Sequence, residues 1–382
     1  MKIFAKDMTI VNGFSKIVFI CGSHFSKTDI TDKRTVLKTF INKQYGDSVK
    51  VIILEENFLL SKSSKTNLGY DSIFLNSLGM IEKMVALYSD KVIVIHESIS
   101  TATELGIFSI DPSVALRTCM IVPDEKSQEE NKVSFFMREA FKALPNNPHA
   151  IKEIRFYPDT KRSNISPNRT EYYTYFHNNE IGSTLREQIT SFLNFDTDAS
   201  PAVVKISQSN YKQPPASVSI ISYRIIPRED TGKGNSDERI EISINAKALQ
   251  VLLMSIIALY INDKDLKKEK RIKQHVDYFE DKLNLHMIDS VKHYLGQDIN
   301  TKSIVWEVRG TDCTIREAIG LFLYILQAMS YISMEVPTDS QDYEIRRIVI
   351  KEGFKALKES LCDNFIPLET TEFGSVFNEF KQ

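Results

Sequence analysis

The first 200 residues alternate short apolar runs with amphipathic segments, and this alternation constrains the fold more than any other feature of the chain. The apolar runs are nearly continuous, as is typical of strands that are buried on both faces of a sheet. Each is followed by a segment whose apolar residues have helical spacing, and strand–helix pairs of this kind build a parallel sheet. The runs are KIVFICG, SVKVIILEE, DKVIVIHES, RTCMIVPDE and IKEIRFYP. The pattern predicts an α/β domain with a Rossmann-like parallel sheet.

The rest of the chain has a different character. Turn-forming residues dominate 201–240, which we interpret as a linker with one short strand, SVSIISYRII. From residue 241 the apolar spacing is mostly helical, with a strand-like interruption at 301–310. Helices are predicted over 246–262, 266–284, 285–296, 313–333 and 341–363. The predicted organisation is an α/β domain (1–200), a linker (201–240) and a mostly helical domain of possible winged-helix type (241–382).

Composition excludes several classes of protein. A net charge of -2 gives no whole-chain signature of nucleic-acid binding, so any basic surface must be local. The four cysteines are far apart, with neither a CxxC pair nor a histidine at zinc-finger spacing, and we expect no structural metal and no cofactor. The longest apolar run, 248–261, is too short to span a membrane. The N-terminus does not resemble a signal peptide, so we expect a cytoplasmic protein with no membrane association.

In parallel sheets, ligands bind beyond the carboxyl ends of the strands. The turn Gly22–Ser23 follows the first strand, and Asp32 and Arg34 open the next helix. Gly22 lets the backbone approach a ligand, and Arg34 can hold a phosphate or carboxylate. The turn matches neither a dinucleotide fingerprint nor a P-loop. From spacing alone, an ordinary turn before an exposed helix is the favoured interpretation.

Acidic residues follow in the next two helices. Glu82 lies in the apolar setting LGMIEKMVAL, where position alone favours a solvent-facing carboxylate over one directed into a cleft. Glu104 lies in HESISTATELG, beyond the third strand. If Ser100 or Thr101 caps this helix, Glu104 falls in its first turn, and Thr101 with Glu104 has capping-box spacing. Spacing therefore leaves a cap and a catalytic carboxylate open.

Further polar residues surround that strand. Asp90 precedes it, while Glu97, Ser98 and Thr101 follow it. Two carboxylates, Glu97 and Glu104, converge where ligands bind, and paired carboxylates are what glycosidic-bond chemistry requires. His96 is more simply a packed or hydrogen-bonded residue, and we leave it outside the catalytic set.

These residues resemble a known group of enzymes. KIVFICGSHF with TDKR, the glutamate ahead of SDKVIVIHES, and STATELGIFS are similar to the nucleoside 2-deoxyribosyltransferase family and to the related phosphoribohydrolases. The resemblance covers about residues 15 to 195. It implies that Glu104 is the nucleophile that attacks C1′ of the sugar and that Glu82 and Asp90 support it. It also implies that a nucleotide contacts the Gly22–Ser23 turn and Arg34, with Glu97, Ser98 and Thr101 nearby.

The sequence motif ES…T..ELG.FS is most similar to deoxyribosyltransferase-like toxin effectors encoded with bacterial retrons. That resemblance implies an effector held inactive by a reverse transcriptase and its RNA–DNA hybrid, the multicopy single-stranded DNA, and released on phage infection. It implies cleavage of the N-glycosidic bond of NAD or a deoxynucleotide, and it is compatible with a homo-oligomer whose subunits complete each other's sites. The basic segment 264–273 is a candidate for the hybrid's phosphates, although such a run is more often a solvated helix face.

Three functional hypotheses remain at this point. The first is the N-glycosidase toxin with Glu104 as its nucleophile. The second is a nucleotide-sensing module without catalysis. The third is a nucleic-acid-binding adaptor that acts through residues 241–382.

Overall fold

The structure is a computed structural model with a mixed α/β fold, and it includes a parallel sheet. The residues it describes are 9–11, 15–22, 32–59, 63–69, 77–96, 98–123, 155–157, 176–177, 180–194, 202–208, 219–226, 239–260, 263–264, 266–268, 270–295, 303–355 and 366–367.

The strands, in chain order, are β1 (Thr9–Val11), β2 (Lys16–Gly22), β3 (Val49–Ile52), β4 (Phe58–Leu59), β5 (Leu68–Gly69), β6 (Lys91–Ile95), β7 (Thr118–Pro123), β8 (Arg155–Tyr157), β9 (Phe176–His177), β10 (Glu180–Ile181), β11 (Ala202–Gln208), β12 (Ser219–Ile226), β13 (Arg239–Ile244), β14 (Lys270–Arg271), β15 (Ser303–Val308), β16 (Ile332–Glu335), β17 (Ile345–Ile350) and β18 (Ile366–Pro367). The helices are α1 (Lys33–Tyr45), α2 (Leu54–Asn57), α3 (Leu78–Tyr88), α4 (Ile99–Ile110), α5 (Pro112–Ala115), α6 (Ser183–Asn194), α7 (Ala246–Tyr260), α8 (Ile272–Leu295) and α9 (Ile315–Ala328). A 3₁₀ turn covers Gly46–Ser48.

The chain divides into two compact units that do not follow each other in sequence. The first unit comprises Met1–Phe14, Leu59–Met80 and Ser200–Gln382, and the second comprises Ser15–Phe58 and Ile81–Ala199. This division differs from the consecutive 1–200, 201–240 and 241–382 segments that composition predicts. Linker-like composition marks chain flexibility and turns, whereas a compact unit is defined by which segments pack together in space.

The second unit is built on a five-stranded sheet of order β3-β2-β6-β7-β8, in which all neighbouring strands are parallel. All five predicted apolar runs supply strands of this sheet. The chain places β3 on one side of β2 and then crosses to place β6 on the other side, so the order of the strands reverses at β2. In open parallel sheets, such a reversal leaves a crevice beyond the carboxyl ends of the strands.

The register fixes which residues share that edge. Gly22, the last residue of β2, is aligned with Ile95, the last residue of β6, and β3 ends at Ile52 beside Phe19. The strands are buried by apolar side chains, among them Val18, Ile20, Ile93 and Ile95. Polar residues that follow these three strands therefore lie at one edge of a rigid support.

The first unit contains a six-stranded mixed sheet, β15-β13-β12-β11-β1-β18, in which β11–β12 and β13–β15 are the parallel pairs. The structure confirms the predicted strands at 219–226 and 303–308. It also places β11 and the start of β13 in the segment that was predicted to be a linker. A short apolar segment such as 202–208 does not by itself distinguish a strand from an irregular linker, so pairing with neighbouring strands decides the outcome.

The same unit contains a three-stranded antiparallel sheet of order β14-β17-β16. The prediction of a helix over 341–363 is wrong at 345–350, which forms β17. The two helices predicted over 266–284 and 285–296 are replaced by the strand β14 and one continuous helix, α8. The C-terminal part of the chain, which was predicted to be mostly helical, therefore contains both helices and strands. No helix in the part of the chain that the structure describes is long and apolar enough to cross a bilayer.

Candidate active site

The carboxyl end of β2 is the centre of the candidate site in the second unit. Cys21 and Gly22 end this strand, and β2 is the strand at which the sheet order reverses. Burial raises the pKa of the Cys21 thiol, and the charges of Glu104, Glu82 and Glu55 raise it further, whereas Arg34 lowers it. Four charged groups from four different helices therefore converge on this strand end.

Arg34 lies in the first turn of α1, which Asp32 caps. The Asp32 carboxylate accepts hydrogen bonds from the backbone N–H groups of Arg34 (2.8 Å) and Thr35 (3.4 Å), as an N-cap does. The Arg34 side chain is only 2% exposed, so the exposed helix start favoured by spacing is wrong for this residue. It lies across the end of β2.

Gly22 makes this course possible. A Cβ atom added at Gly22 would lie 2.7 Å from Cδ of Arg34, well inside van der Waals contact. The sequence interpretation gave Gly22 the task of letting a ligand approach the backbone. In the structure, it is the Arg34 side chain that occupies the space beside the glycine.

Arg34 has two ionic partners, Asp32 at 3.7 Å and Glu55, and Glu55 was not identified from the sequence. Its Oε1 accepts a 2.8 Å hydrogen bond from Nη1 of Arg34, and its side chain is 53% exposed. Glu55 lies in α2, three residues beyond the end of β3. Gly22 and Glu104 were selected because ligands bind beyond the carboxyl ends of parallel strands. The same criterion applied to ILEEN, at the end of β3, would have identified Glu55.

The cap of α4 excludes the capping role that spacing allowed for Glu104. Ser98 is the N-cap, and it forms a capping box with Thr101: Ser98 Oγ accepts from Thr101 N–H (3.4 Å), and Thr101 Oγ1 accepts from Ser98 N–H (3.1 Å). The prediction of a cap at Ser100 or Thr101 is therefore wrong. Glu104 is the sixth residue of the helix, in its second turn, where it takes no part in the cap.

Glu104 faces inwards. Thr101, Leu105 and Phe108 are buried. Glu104 follows Thr101 by three residues and precedes Phe108 by four, so it lies on the same side of the helix as these two. Phe108 packs edge-on against Phe19 of β2, with ring centroids 6.3 Å apart, which holds this face of α4 against the sheet. Glu104 Oε2 is buried and has no hydrogen-bond partner among the described residues.

Glu82 of α3 is half-buried, so the solvent-facing interpretation does not describe it. Burial, and then the charge of Glu55, raise the pKa of Glu82 to about 7. Burial followed by the charges of Glu82 and Glu55 raises the pKa of Glu104 to about 8, against a lowering effect of Arg34. Because neighbouring carboxylates disfavour each other's ionisation, Glu82 and Glu104 titrate as a coupled pair near neutral pH.

Asp90 is not brought to this site. It precedes β6, where its N–H donates to Ile17 O (2.8 Å) and its Oδ2 accepts from Ile17 N–H (2.8 Å). Ile17 is near the beginning of β2, so Asp90 lies at the amino edge of the sheet, roughly 17 Å along the strand from Ile95 at ~3.3 Å per residue. Asp90 and Glu104 are close in sequence because they flank the same short strand. The length of that strand places them at opposite edges of the sheet.

The remaining predicted site residues fall into two groups. Ser98 and Thr101 use their side chains in the cap, and Nδ1 of His96 lies 3.0 Å from Oγ1 of Thr101, so all three support the start of α4. A role for Ser98 and Thr101 in substrate binding stays a prediction. Ser23 and Glu97 lie outside the described residues. No group of three or more histidine, cysteine or acidic residues in the described ranges is arranged to hold a metal ion.

Comparison with protein-family models matches residues 31–334, most of the chain, to a family described as STM3845 retron effector protein. The matched range includes Arg34, Glu55, Glu82 and Glu104, and it extends across both compact units. No curated protein matched the chain.

Proposed function

The chain belongs to the STM3845 retron effector family and so to retron anti-phage defence, and from this premise we propose that it is a toxin effector that cleaves the N-glycosidic bond of a nucleotide. Glu104 is the nucleophile in this proposal. NAD and deoxynucleotides are the substrate classes, in keeping with the resemblance to nucleoside 2-deoxyribosyltransferases.

One observation carries the proposal. Glu104 lies on the buried face of α4, has an oxygen without a partner among the described residues, and takes no part in the helix cap. A buried carboxylate oxygen left without a hydrogen bond is costly in a fold, and such groups concentrate at functional sites. Among the described residues, neither the helix cap nor a hydrogen bond to Oε2 gives Glu104 a structural role that would account for this cost.

The proposed reaction uses two carboxyl groups in different protonation states, Glu104 ionised and Glu82 protonated. The ionised Glu104 oxygen forms a bond to C1′ while the bond between C1′ and the base nitrogen breaks with its electron pair. For a deoxynucleotide, protonated Glu82 supplies the proton that the departing base requires. Water then attacks C1′ as it gives a proton to the Glu82 carboxylate, the ester bond to Glu104 breaks, and the sugar is released with Glu104 ionised and Glu82 protonated again. A pKa of about 7 suits Glu82 to proton donation at neutral pH.

Arg34 and Gly22 supply the means of seating the nucleotide. The buried guanidinium is a source of positive charge among three carboxylates, and phosphate or carboxylate groups are the ligands that a guanidinium fork matches. We assign Arg34 to the anionic part of the substrate, with Glu55 as its partner when no substrate is bound.

The test compares wild type with Glu104→Gln and with the control Glu56→Gln. Glu56 is adjacent to Glu55 but is paired with Lys38, away from the carboxylate set. Purified proteins are incubated with NAD, deoxynucleoside monophosphates and nucleosides, and released base is measured by chromatography. Glu104→Gln should reduce base release at least about a thousandfold and abolish toxicity, whereas Glu56→Gln should retain both. Base release by Glu104→Gln at the wild-type rate would show that the enzyme assignment is wrong.

A second candidate function is nucleotide sensing without catalysis, and the protonation of Glu104 favours it. With a pKa of about 8, most Glu104 carboxyl groups carry a proton at pH 7, and a protonated carboxyl is a poor nucleophile. Equilibrium dialysis separates the two functions. Retention of intact nucleotide by wild type, with no base released between pH 6 and 9, would support the sensor.

We further propose that the first unit carries a winged-helix-like module that contacts the retron's reverse transcriptase or its RNA–DNA hybrid. The order α7–β14–α8–α9–β16–β17, with the antiparallel sheet order β14-β17-β16, supports this proposal. In a winged-helix module the strand before the second helix pairs with the last strand of the hairpin that follows the third. Two features depart from that scheme. β15 intervenes between α8 and α9, and α9 is buried over nearly its whole length, so it has no open face to insert into a groove.

The basic segment 264–273 is the surface we propose for phosphates. Lys264, Lys267 and Lys273 are exposed there. Their simultaneous replacement by glutamate should weaken binding of a labelled RNA–DNA hybrid and reduce its salt dependence. Replacement of Lys355, which is also exposed but distant in sequence, is the control. Unchanged hybrid affinity in the triple variant would refute this surface.

A further inference from the structure

The last two residues of β2 face opposite sides of the parallel sheet. Side chains alternate between the two faces along a strand, so Cys21 shares a face with Phe19, and Gly22 shares the other with Ile20. Ile20 belongs to the core that this sheet forms with α1 and α6. The Arg34 side chain lies beside Gly22 on that same face. Cys21 is therefore directed to the opposite face, where α4 packs.

The packing of α4 against β2 brings Glu104 to Cys21. The helix leaves the carboxyl end of β6 and the chain returns to the amino end of the parallel strand β7, so α4 is antiparallel to β2. Phe108 contacts Phe19, with ring centroids 6.3 Å apart. From that contact, Glu104 lies one helical turn, ~6 Å, nearer the carboxyl edge of the sheet. Cys21 lies two strand residues, ~6.6 Å, nearer the same edge. Because the two steps match, the thiol and the carboxylate face each other between β2 and α4.

The charges around the two groups agree with this placement. After burial, the charge of Glu104 is the largest cause that raises the pKa of the Cys21 thiol, ahead of Glu82 and Glu55. The charged groups that act on Glu104 itself are Glu82 and Glu55, which raise its pKa, and Arg34, which lowers it. These three residues come from three helices. Cys21 is the neighbour on the side of the sheet, and its raised pKa keeps it uncharged at neutral pH.

A thiol has the properties that this position requires. Cys21 is 4% exposed, and a buried cysteine behaves as a small apolar residue with a weak S–H donor. Oε2 of Glu104 has no hydrogen-bond partner among the described residues, so the thiol does not donate to it. A serine here would place a strong donor beside the carboxylate and favour its ionised form. A larger apolar residue would overfill the space under α4.

We propose that Cys21 is a positioning residue for Glu104, whose thiol gives the carboxylate a small apolar surface to lie on and withholds a hydrogen bond from the side of the sheet. This inference rests on the proposed function of Glu104 as the nucleophile. Cys21 acts through Glu104 and takes no part of its own in the transfer of the sugar. By keeping donors and water from the carboxylate, it sets the pH at which the nucleophile becomes ionised.

The experiment uses the full chain with Cys21→Ser, Cys21→Ala and the control Cys119→Ser. Cys119 of β7 is also 4% exposed, but it belongs to the core on the opposite face of the same sheet. The control therefore exchanges a buried thiol for a hydroxyl away from Glu104. The pH profile of base release is recorded for each protein. In parallel, carbon-13 NMR follows the titration of the glutamate carboxyl groups in labelled protein, and the Glu104 signal is the one that Glu104→Gln lacks.

Cys21→Ser should move the rising limb of the profile and the Glu104 titration to lower pH by about one unit, because the hydroxyl donates to the ionised carboxylate. Cys21→Ala keeps the surface apolar, so its Glu104 carboxyl should titrate as in wild type, and so should that of Cys119→Ser. If Cys21→Ser fails to fold, Cys21→Thr supplies the same hydroxyl on a residue that favours strands and decides the matter.

An unshifted Glu104 titration in the hydroxyl variant would overturn the proposal. An equal shift in Cys21→Ala or Cys119→Ser would overturn it as well, since general loosening of the sheet would then be the cause. If wild type itself releases no base, the proposed function fails, and the NMR titration still decides whether Cys21 controls the ionisation of Glu104.

Discussion

Nη1 of Arg34 donates a 2.8 Å hydrogen bond to Oε1 of Glu55, joining a buried cation on α1 to a half-exposed carboxylate on α2. The two residues are 21 positions apart and follow different strands of one parallel sheet. Burial and the charge of Glu55 raise the pKa of Glu82 to about 7, and burial with the charges of Glu82 and Glu55 raises the pKa of Glu104 to about 8, against the lowering effect of Arg34. Four predictions follow from this arrangement and from the sheet that supports it.

The rate of base release should have a bell-shaped dependence on pH, with its maximum between about 7 and about 8. The rate rises as Glu104 loses its proton and becomes a nucleophile, and it falls as Glu82 loses the proton that it donates to the base. The two limbs report the coupled set rather than either residue alone. Initial rates from pH 5.5 to 9.5 measure the profile, and a flat rate over that range would contradict the assigned roles.

Glu55→Gln should move the rising limb of this profile to lower pH. The negative charge of Glu55 raises the pKa of both Glu82 and Glu104, so its removal lets each carboxyl ionise more readily. At pH 6 the variant should therefore have a larger fraction of ionised Glu104 than wild type. Glu56→Gln is the matched control, and an identical displacement in that variant would mean that general surface charge, not Glu55, is responsible.

Gly22→Ala should destabilise the protein by about 1–3 kcal/mol, because its Cβ overlaps Arg34 Cδ in a well-packed region. The overlap also displaces the Arg34 guanidinium, which we assign to the anionic part of the substrate, so nucleotide affinity should fall as well. Gly106→Ala is the control, since a Cβ there meets no atom within 4 Å and alanine favours a helix. Thermal unfolding and nucleotide binding are measured for both, and equal stability of the two variants would contradict the packing argument.

Asp90→Ala should reduce stability without affecting chemistry. Removing the carboxylate leaves the Ile17 N–H without its 2.8 Å partner, at a cost of about 1–3 kcal/mol. Base release per folded molecule should equal that of wild type, because Asp90 lies at the amino edge of the sheet. Asp47→Ala, which removes an exposed side chain, should change neither property. A stable Asp90 variant with little activity would restore the catalytic role that the sequence resemblance implied.

The sequence by itself determined the parallel sheet and the strand ends at which the candidate site lies. Strands buried on both faces must be apolar throughout, so KIVFICG and DKVIVI could be recognised from local composition. Gly22, Arg34, Glu82 and Glu104 were found because each follows such a strand or lies on the next helix. The elements of the first unit were less accessible, since β11, β14 and β17 are short strands whose partners are distant in sequence.

Only the tertiary structure decided what each of these side chains does. Sequence spacing allowed Thr101–Glu104 to be a capping box, but the backbone begins the helix at Ser98 and leaves Glu104 on the buried face. Sequence spacing also placed Asp90 and Glu104 near one strand, but the length of β6 puts them at opposite edges of the sheet. The Arg34–Glu55 pair depends on chain segments that meet only after folding. Hydrogen bonds and charge coupling act over a few ångströms in space, and local sequence does not encode which distant segments come within that range.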